Sequence, residues 1–93
     1  MNNFSQNIRI FFIKITQNPL FIIKVQRGIA TTVSGTVKHS FMHQCMDIID
    51  RNKIQTAIIY GVKSAFESTT IKTFGEISGD ILQQLRNVYS FSA

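Results

Sequence analysis

Cysteine, proline and tryptophan are almost or wholly missing from this chain. Its 93 residues include one cysteine, Cys45, one proline, Pro19, and no tryptophan. A single cysteine excludes an intramolecular disulfide, so a stapled secreted scaffold is not indicated and a reduced, cytoplasmic compartment is expected. The single proline predicts one sharp break at about residue 18, because the residue before a proline is forced away from helical geometry.

Long hydrophobic runs are missing as well. Near the N-terminus the longest apolar run without a charge is Ile10–Ile13, which is too short for a secretory signal. The segment from Ile8 to Val25 is interrupted by three basic residues and Pro19. A membrane-spanning helix needs about 20 nearly uninterrupted apolar residues. We therefore expect neither a signal peptide nor a transmembrane helix here.

Acidic residues are absent from the first 46 positions. The net charge is +5, and the first acidic residue is Asp47. Five basic residues precede it, whereas the remainder of the chain holds five basic and five acidic residues. This distribution favours an acidic partner for the N-terminal half: phospholipid headgroups, nucleic acid or an acidic protein face. The alternative is a chance split that serves only solubility.

Hydrophobic periodicity predicts one small domain of mixed structure. With 44% hydrophobic residues, the chain has the composition of a folded protein. Apolar runs bounded by turn residues predict four strands. Two segments with apolar residues at helical spacing predict helices, the first capped by Ser40 and the second by Asp80. The predicted strands cover residues 20–25, 29–34, 56–62 and 69–74.

The two halves of the chain resemble each other at a fixed offset of 40 residues. Gly35 corresponds to Gly75, Ser40 to Asp80, and Cys45 to Leu85. A ββα unit used twice explains the offset, although the residue preferences that all helices share could also produce it by chance. The prediction is an α+β fold: a four-stranded antiparallel sheet with two helices on one face (a ββαββα pseudo-repeat), preceded by an N-terminal amphipathic helix. We divide the chain into a basic amphipathic segment, 1–18, and a ββαββα domain, 19–93.

The N-terminal segment carries a complete helical stripe of large apolar residues. Phe4, Ile8, Phe11, Phe12 and Ile15 follow the spacing i, i+4, i+7, i+8 and i+11. Ile10 and Ile13 interrupt the side that would otherwise be polar. A strand over 8–15 is the rival, but its alternation fails at the two adjacent phenylalanines. We therefore favour a helix.

Three roles are open for this stripe. It could fold back over the uncovered face of the sheet, bind a partner protein or a second copy, or lie in a membrane interface. We expect that deleting 1–18 leaves the domain folded and abolishes association. The residues predicted to bind the partner are the stripe and its basic neighbours: Phe4, Ile8, Arg9, Phe11, Phe12, Lys14, Ile15, Lys24 and Arg27.

Catalytic, cofactor and metal sites are not predicted. His39 and His43 have the spacing of a helical metal pair, but a cap at Ser40 would leave His39 outside the helix, and no third ligand is evident. Cys45 belongs to an apolar stripe, where a buried and inert thiol is expected. The C-terminal Tyr89 and Phe91 are expected to lock the last helix onto the sheet, with a docking tail as the alternative.

These observations favour a non-enzymatic interaction or structural subunit that docks through its N-terminal half, with no small-molecule substrate. The partner would be a protein or a second copy of the chain. A small basic nucleic-acid-binding protein is the first alternative, in which Tyr60, Phe66 and Phe74 could stack on bases. A peripheral membrane protein is the second, so a cytoplasmic location could include membrane association.

The segment from Phe21 to Val88 also resembles a known family. It carries the strand "FIIKV", Ser34–Gly35, Phe41 at the start of a helix, and above all "QQLRNV" at 83–88. These features are similar to an uncharacterised family of small gamma-proteobacterial proteins with an N-terminal membrane anchor and a short α+β domain. One residue is missing here between the glutamines and Arg86, and a true membrane span is lacking. The resemblance implies a fold but no activity.

Overall fold

The computed structural model describes residues 3–66 and 68–92, and side chains for 5–66 and 68–91. This part of the chain forms three helices and four strands in the predicted α+β arrangement. The first helix is the amphipathic one, so the strand alternative for 8–15 is wrong. The elements are α1 (Asn3–Gln17), β1 (Phe21–Gln26), β2 (Ile29–Gly35), α2 (His39–Arg51), β3 (Thr56–Lys63), β4 (Thr69–Gly75) and α3 (Gly79–Ser92).

The four strands form one antiparallel sheet in the order β2-β1-β3-β4. β1 and β3 lie in the centre, and their consecutive isoleucines, Ile22–Ile23 and Ile58–Ile59, are buried on both faces. This burial explains why their sequences lack clean alternation. A two-residue turn joins β1 to β2, with Arg27 at φ 55° and Gly28 at φ 76°. Positive φ at both positions is the signature of the tight turn that suits strand twist.

The predicted offset of 40 residues is visible in the element bounds. β2 and β4 end at Gly35 and Gly75, which both have positive φ, and α2 and α3 begin four residues later. The offset holds along the whole of β2 and β4 but not for β1 and β3, which begin 35 residues apart. The sheet order places the two ββα units about β1 and β3, with β2 and β4 at opposite edges.

α2 and α3 pack on the same face of the sheet, as predicted. Phe41 and Cys45 of α2 and Leu85 of α3 are fully buried against that face. Tyr89 locks the last helix in place: its ring lies 4.9 Å from Phe41 and 6.0 Å from Phe21, centroid to centroid. The same expectation for Phe91 was wrong, since that side chain is 91% exposed. The main core therefore lies between the sheet and these two helices.

Both predicted helix caps were wrong by two residues. α2 has Lys38 at its N-cap, without a side-chain cap hydrogen bond, so Ser40 lies inside the first turn. In α3 the hydroxyl of Ser78 accepts a hydrogen bond from the amide of Ile81, and Asp80 lies in the first turn. Lys38 and Ser78 are again 40 residues apart, so the observed helix starts keep the 40-residue offset.

α1 packs across the opposite face of the sheet. Ile13 is buried against Ile22 and Ile58, and Ile10 packs against the same small cluster. The interpretation of Ile10 and Ile13 as interruptions of a polar side was wrong, since they form the side that contacts the sheet. The helix ends before Asn18, which takes φ 46° ahead of Pro19, so the break falls where the proline predicted it.

Candidate docking surface

The inner face of α1 is fixed to the sheet by a buried amide as well as by apolar contacts. Gln6 is fully buried, and its Nε2 donates hydrogen bonds to the carbonyl oxygens of Val25, at 2.9 Å, and Ala57, at 3.3 Å. These two residues pair across the central strands β1 and β3. Together with Ile10 and Ile13, Gln6 sets which side of α1 faces the sheet.

Polar contacts hold the flanks of the helix. The guanidinium carbon of Arg9 lies 3.9 Å from the ring centroid of Phe74, a cation–π contact with β4. On β1, Lys24 Nζ donates a hydrogen bond to Asn7 Oδ1 at 3.1 Å. Two of the predicted partner-binding cations, Arg9 and Lys24, therefore also help to attach α1 to its own sheet.

The outer face of α1 presents large apolar side chains to solvent. Ile8, Phe11, Phe12 and Ile15 are 43%, 59%, 57% and 63% exposed. At 3.6 residues per turn, Ile8, Phe11 and Ile15 fall within about 60° of each other and roughly opposite Ile13. The rings of Phe11 and Phe12 meet edge to face at 6.1 Å. The predicted stripe therefore points away from the sheet; the side chain of Phe4 lies outside the described residues.

The remaining predicted cations lie in two places. Lys14 is exposed on α1, in the same helix as the stripe. Arg27 instead lines a shallow groove of about 460 Å³ at the β1–β2 hairpin, which Lys24, Ile29 and Val33 also line. The structure thus separates the predicted partner-binding set into an outer face on α1 and a groove beside β2.

Sequence reasoning missed the apolar half of that groove. Ile29 and Val33 are exposed, although both sit in a strand that reads as ordinary core-forming sequence. Their exposure follows from the position of β2 at the sheet edge, beyond the reach of α1. Only strand order could have shown this, and strand order is not encoded in local periodicity.

The side chains that could take part in catalysis or metal binding do not cluster. His39 is the first residue of α2, so the expectation that it lies outside the helix was wrong, and both it and His43 are exposed. Among the described residues there is no group of three His, Cys, Asp or Glu side chains that could hold a metal. Cys45 is buried, as predicted, and burial raises the pKa of its thiol to about 12.

The three aromatic residues considered for base stacking do not form one platform. Tyr60 and Phe74 are partly buried under α1, against Ile10 and Ile13. Phe66 lies between β3 and β4 and is almost fully exposed. A base could not stack on Tyr60 and Phe74 without displacing α1.

Comparison with known proteins adds one family assignment. No curated protein and no solved structure matched the chain. Within the described residues, the helices are all too short or too polar to cross a membrane. One family does match, over residues 5–93, and is described as a protein of unknown function (DUF3634). Because that match covers almost the whole chain, the protein belongs to the DUF3634 family.

Proposed function

We propose that this protein is a non-enzymatic interaction subunit that docks through the outer face of α1 into an apolar groove on a partner protein. The observation that supports this most is the exposure of Ile8, Phe11, Phe12 and Ile15 on a helix whose other face is already packed. Contiguous exposed apolar surface of this kind on a small soluble domain marks an interaction site.

The spacing of the exposed residues supports a helix-in-groove contact. Ile8, Phe11, Phe12 and Ile15 stand at i, i+3, i+4 and i+7, the pattern by which an amphipathic helix fills a groove. Because Gln6, Ile10 and Ile13 already hold the helix on the sheet, binding need not order it. Pre-ordering of this kind lowers the entropic cost of association.

The size of the surface sets the strength of the contact. Full burial of one large apolar side chain stabilises by about 1.5–3 kcal/mol, so covering four that are roughly half exposed would contribute on the order of 3–6 kcal/mol. Association itself costs several kcal/mol. The outer face alone therefore supports a weak contact, and a stable complex would need a second point of attachment.

Site-specific photo-crosslinking tests this proposal. We expect a photoreactive amino acid at Phe11 to crosslink one partner protein in cells, and the same probe at Phe66, which is more exposed, not to do so. The purified partner should then bind the native chain, and Phe11→Gln with Phe12→Gln should weaken that binding by about tenfold or more. The matched control is Phe91→Gln, which removes an exposed phenylalanine elsewhere. Equal crosslinking from both positions would contradict the proposal.

Three other occupants give different results with the same double variant. A second copy would appear as a concentration-dependent dimer in light scattering that the variant abolishes. A lipid surface would appear as co-sedimentation with anionic vesicles, and nucleic acid as binding that falls steeply with salt. Each would replace the partner protein in the proposal. The membrane anchor and gamma-proteobacterial origin implied by the resemblance, and the cytoplasmic location, also remain proposals.

A further inference from the structure

β2 is an edge strand with little protection against further pairing. It pairs with β1 on one side, and no other described strand pairs with it. Its sequence, "IATTVSG", contains no charged residue and no proline. Native proteins usually blunt such edges with lysine, proline or a bulge. Here the bulge falls near Val33, so residues 29–32 keep a regular edge.

The outward hydrogen-bonding groups of this edge can be assigned from the register. The two-residue turn makes Gln26 and Ile29 a hydrogen-bonded pair, and the pairs alternate from there along the ladder. The amide and carbonyl of Ala30 and of Thr32 therefore point away from β1. An added strand would bind at these two residues.

The opposite edge of the sheet, at β4, is protected by a side chain. The internal repeat allows equivalent positions at the two edges to be compared. At β4, Arg86 of α3 donates a hydrogen bond from Nε to the carbonyl oxygen of Ile71 at 3.1 Å. Forty residues earlier, at the equivalent position of α2, the chain has Met46, which cannot donate and is 48% exposed. Arg86 of α3 therefore covers part of the edge at β4, whereas α2 has no such donor at the equivalent position beside β2.

The groove beside β2 indicates the chemistry of a strand that could pair with this edge. Its lining combines two cations, Lys24 and Arg27, with two aliphatic residues, Ile29 and Val33, and contains no acidic residue. Side chains of an added strand would alternate between the two faces of the sheet. Those on the groove side would meet Arg27 near the hairpin turn and Val33 at the other end.

We propose that the edge of β2 binds an extended acidic segment of a protein as a fifth strand, through the backbone of Ala30 and Thr32. A carboxylate of that segment pairs with Arg27, and an aliphatic side chain contacts Ile29 and Val33. This site is separate from the outer face of α1 and does not depend on it. It supplies the kind of second attachment that the weak apolar contact would need.

The experiment uses the full chain and three synthetic seven-residue peptides. One alternates Glu and Val, the second has Lys in place of Glu, and the third is the acidic peptide with a central proline. We expect the acidic peptide to slow amide hydrogen exchange of Ala30 and Thr32 by about tenfold or more, measured by NMR. The lysine peptide should bind at least about tenfold more weakly, because it loses the charged hydrogen bonds. The proline peptide should give no protection.

Variants test the charged half of the groove. Arg27→Gln should weaken binding of the acidic peptide, whereas Lys63→Gln, which removes an exposed lysine at the end of β3, should not. Equal binding of the acidic and lysine peptides would overturn the inference. So would protection that rises with protein concentration alone, which indicates a second copy at β2, or equal protection by a single-stranded oligonucleotide. The peptide comparison needs no variant, so it holds even where a substitution disturbs folding.

Discussion

At the scale of single residues, Gln6 makes the most specific contact between α1 and the sheet. Its Nε2 donates to two carbonyl oxygens, and its Oε1 has no hydrogen-bond partner in the described part of the chain. Gln6→Glu would therefore place a buried carboxylate against two acceptors. We expect this variant to lose about 3–5 kcal/mol of stability at neutral pH, because the charge is buried and uncompensated.

The loss should depend on pH, and its direction follows from burial. Burial raises the pKa of such a carboxyl above its ordinary value of about 4.3, so the penalty is absent below that value and grows as the pH rises through it. Urea unfolding of the variant and of the unsubstituted protein, each at about pH 3.5 and 7, checks this. The control, Gln6→Met, should cost about 1–3 kcal/mol at both pH values, since it loses only hydrogen bonds. Equal losses for the Glu variant at both pH values would contradict this account.

Cys45 should behave as a buried hydrophobe. Desolvation raises the pKa of its thiol to about 12, and the thiolate is the form that reacts. We expect thiol reagents at mildly alkaline pH to label the native protein at least about a hundredfold more slowly than the unfolded chain, because labelling requires opening of the core. Protein unfolded in guanidinium is the control. Labelling of native protein at the unfolded rate would show that α2 does not protect this position.

At the scale of elements, Glu76 joins the end of β4 to the start of β3. Its carboxylate accepts hydrogen bonds from the backbone amide of Gln55 and the hydroxyl of Thr56, each at 3.1 Å. These bonds, chiefly the one from Gln55, lower the pKa of Glu76 below its ordinary value. The stabilisation is therefore present above the ordinary pKa and is lost as the pH falls through the lower folded-state value.

A pH series of urea unfolding isolates this link. We expect Glu76→Gln to reduce the dependence of stability on pH on the acid side of that ordinary value, with little change in the fold. Thr56→Val should keep most of the dependence, because the Gln55 amide is the larger cause of the lowered pKa. If native protein and Glu76→Gln lose stability in parallel from neutral to acid pH, the carboxylate does not link the strands.

The helices and strands could be predicted because, in most segments, the spacing of apolar residues and the positions of glycine and proline indicate the same element. α1 is helical as its stripe predicted, and Gly35 and Gly75 end their strands as expected. The helix starts could not be predicted from cap residues. α2 begins after Lys38 without any side-chain cap, so its start follows from the turn after Gly35 and from burial of Phe41, both of which are tertiary effects.

At the scale of the whole molecule, the sequence predicted the apolar stripe of α1 but not which side of the helix would pack on the sheet. Both sides of the helix carry apolar residues, and the stronger stripe would ordinarily be assigned to the core. The sheet face already holds the rings of Tyr60 and Phe74 and the stem of Lys24, so it fits the smaller side with Ile10 and Ile13. Which side packs is decided by the shape of the sheet surface, which local periodicity cannot report.

Deleting 1–18 would remove both sides of α1 at once, so it cannot separate packing from docking. Ile13 and Ile15 allow a sharper comparison, because the same residue type stands two positions apart on opposite sides of one helix. Ile13 is 6% exposed against Ile22 and Ile58, whereas Ile15 is 63% exposed. The pair therefore reports the inner and the outer face with matched chemistry.

We expect Ile13→Gln to lower the free energy of unfolding by about 2–5 kcal/mol, because it removes core volume and buries an amide. Ile15→Gln should change it by no more than about 0.5 kcal/mol, as is usual for exposed positions, while weakening binding of the partner. Urea unfolding of the isolated chain measures both. If Ile15→Gln destabilises the chain as much as Ile13→Gln, the outer face is core, and docking through α1 is excluded. If stability is kept and binding is lost, the residues that anchor α1 and the residues that bind the partner are separate sets on one helix.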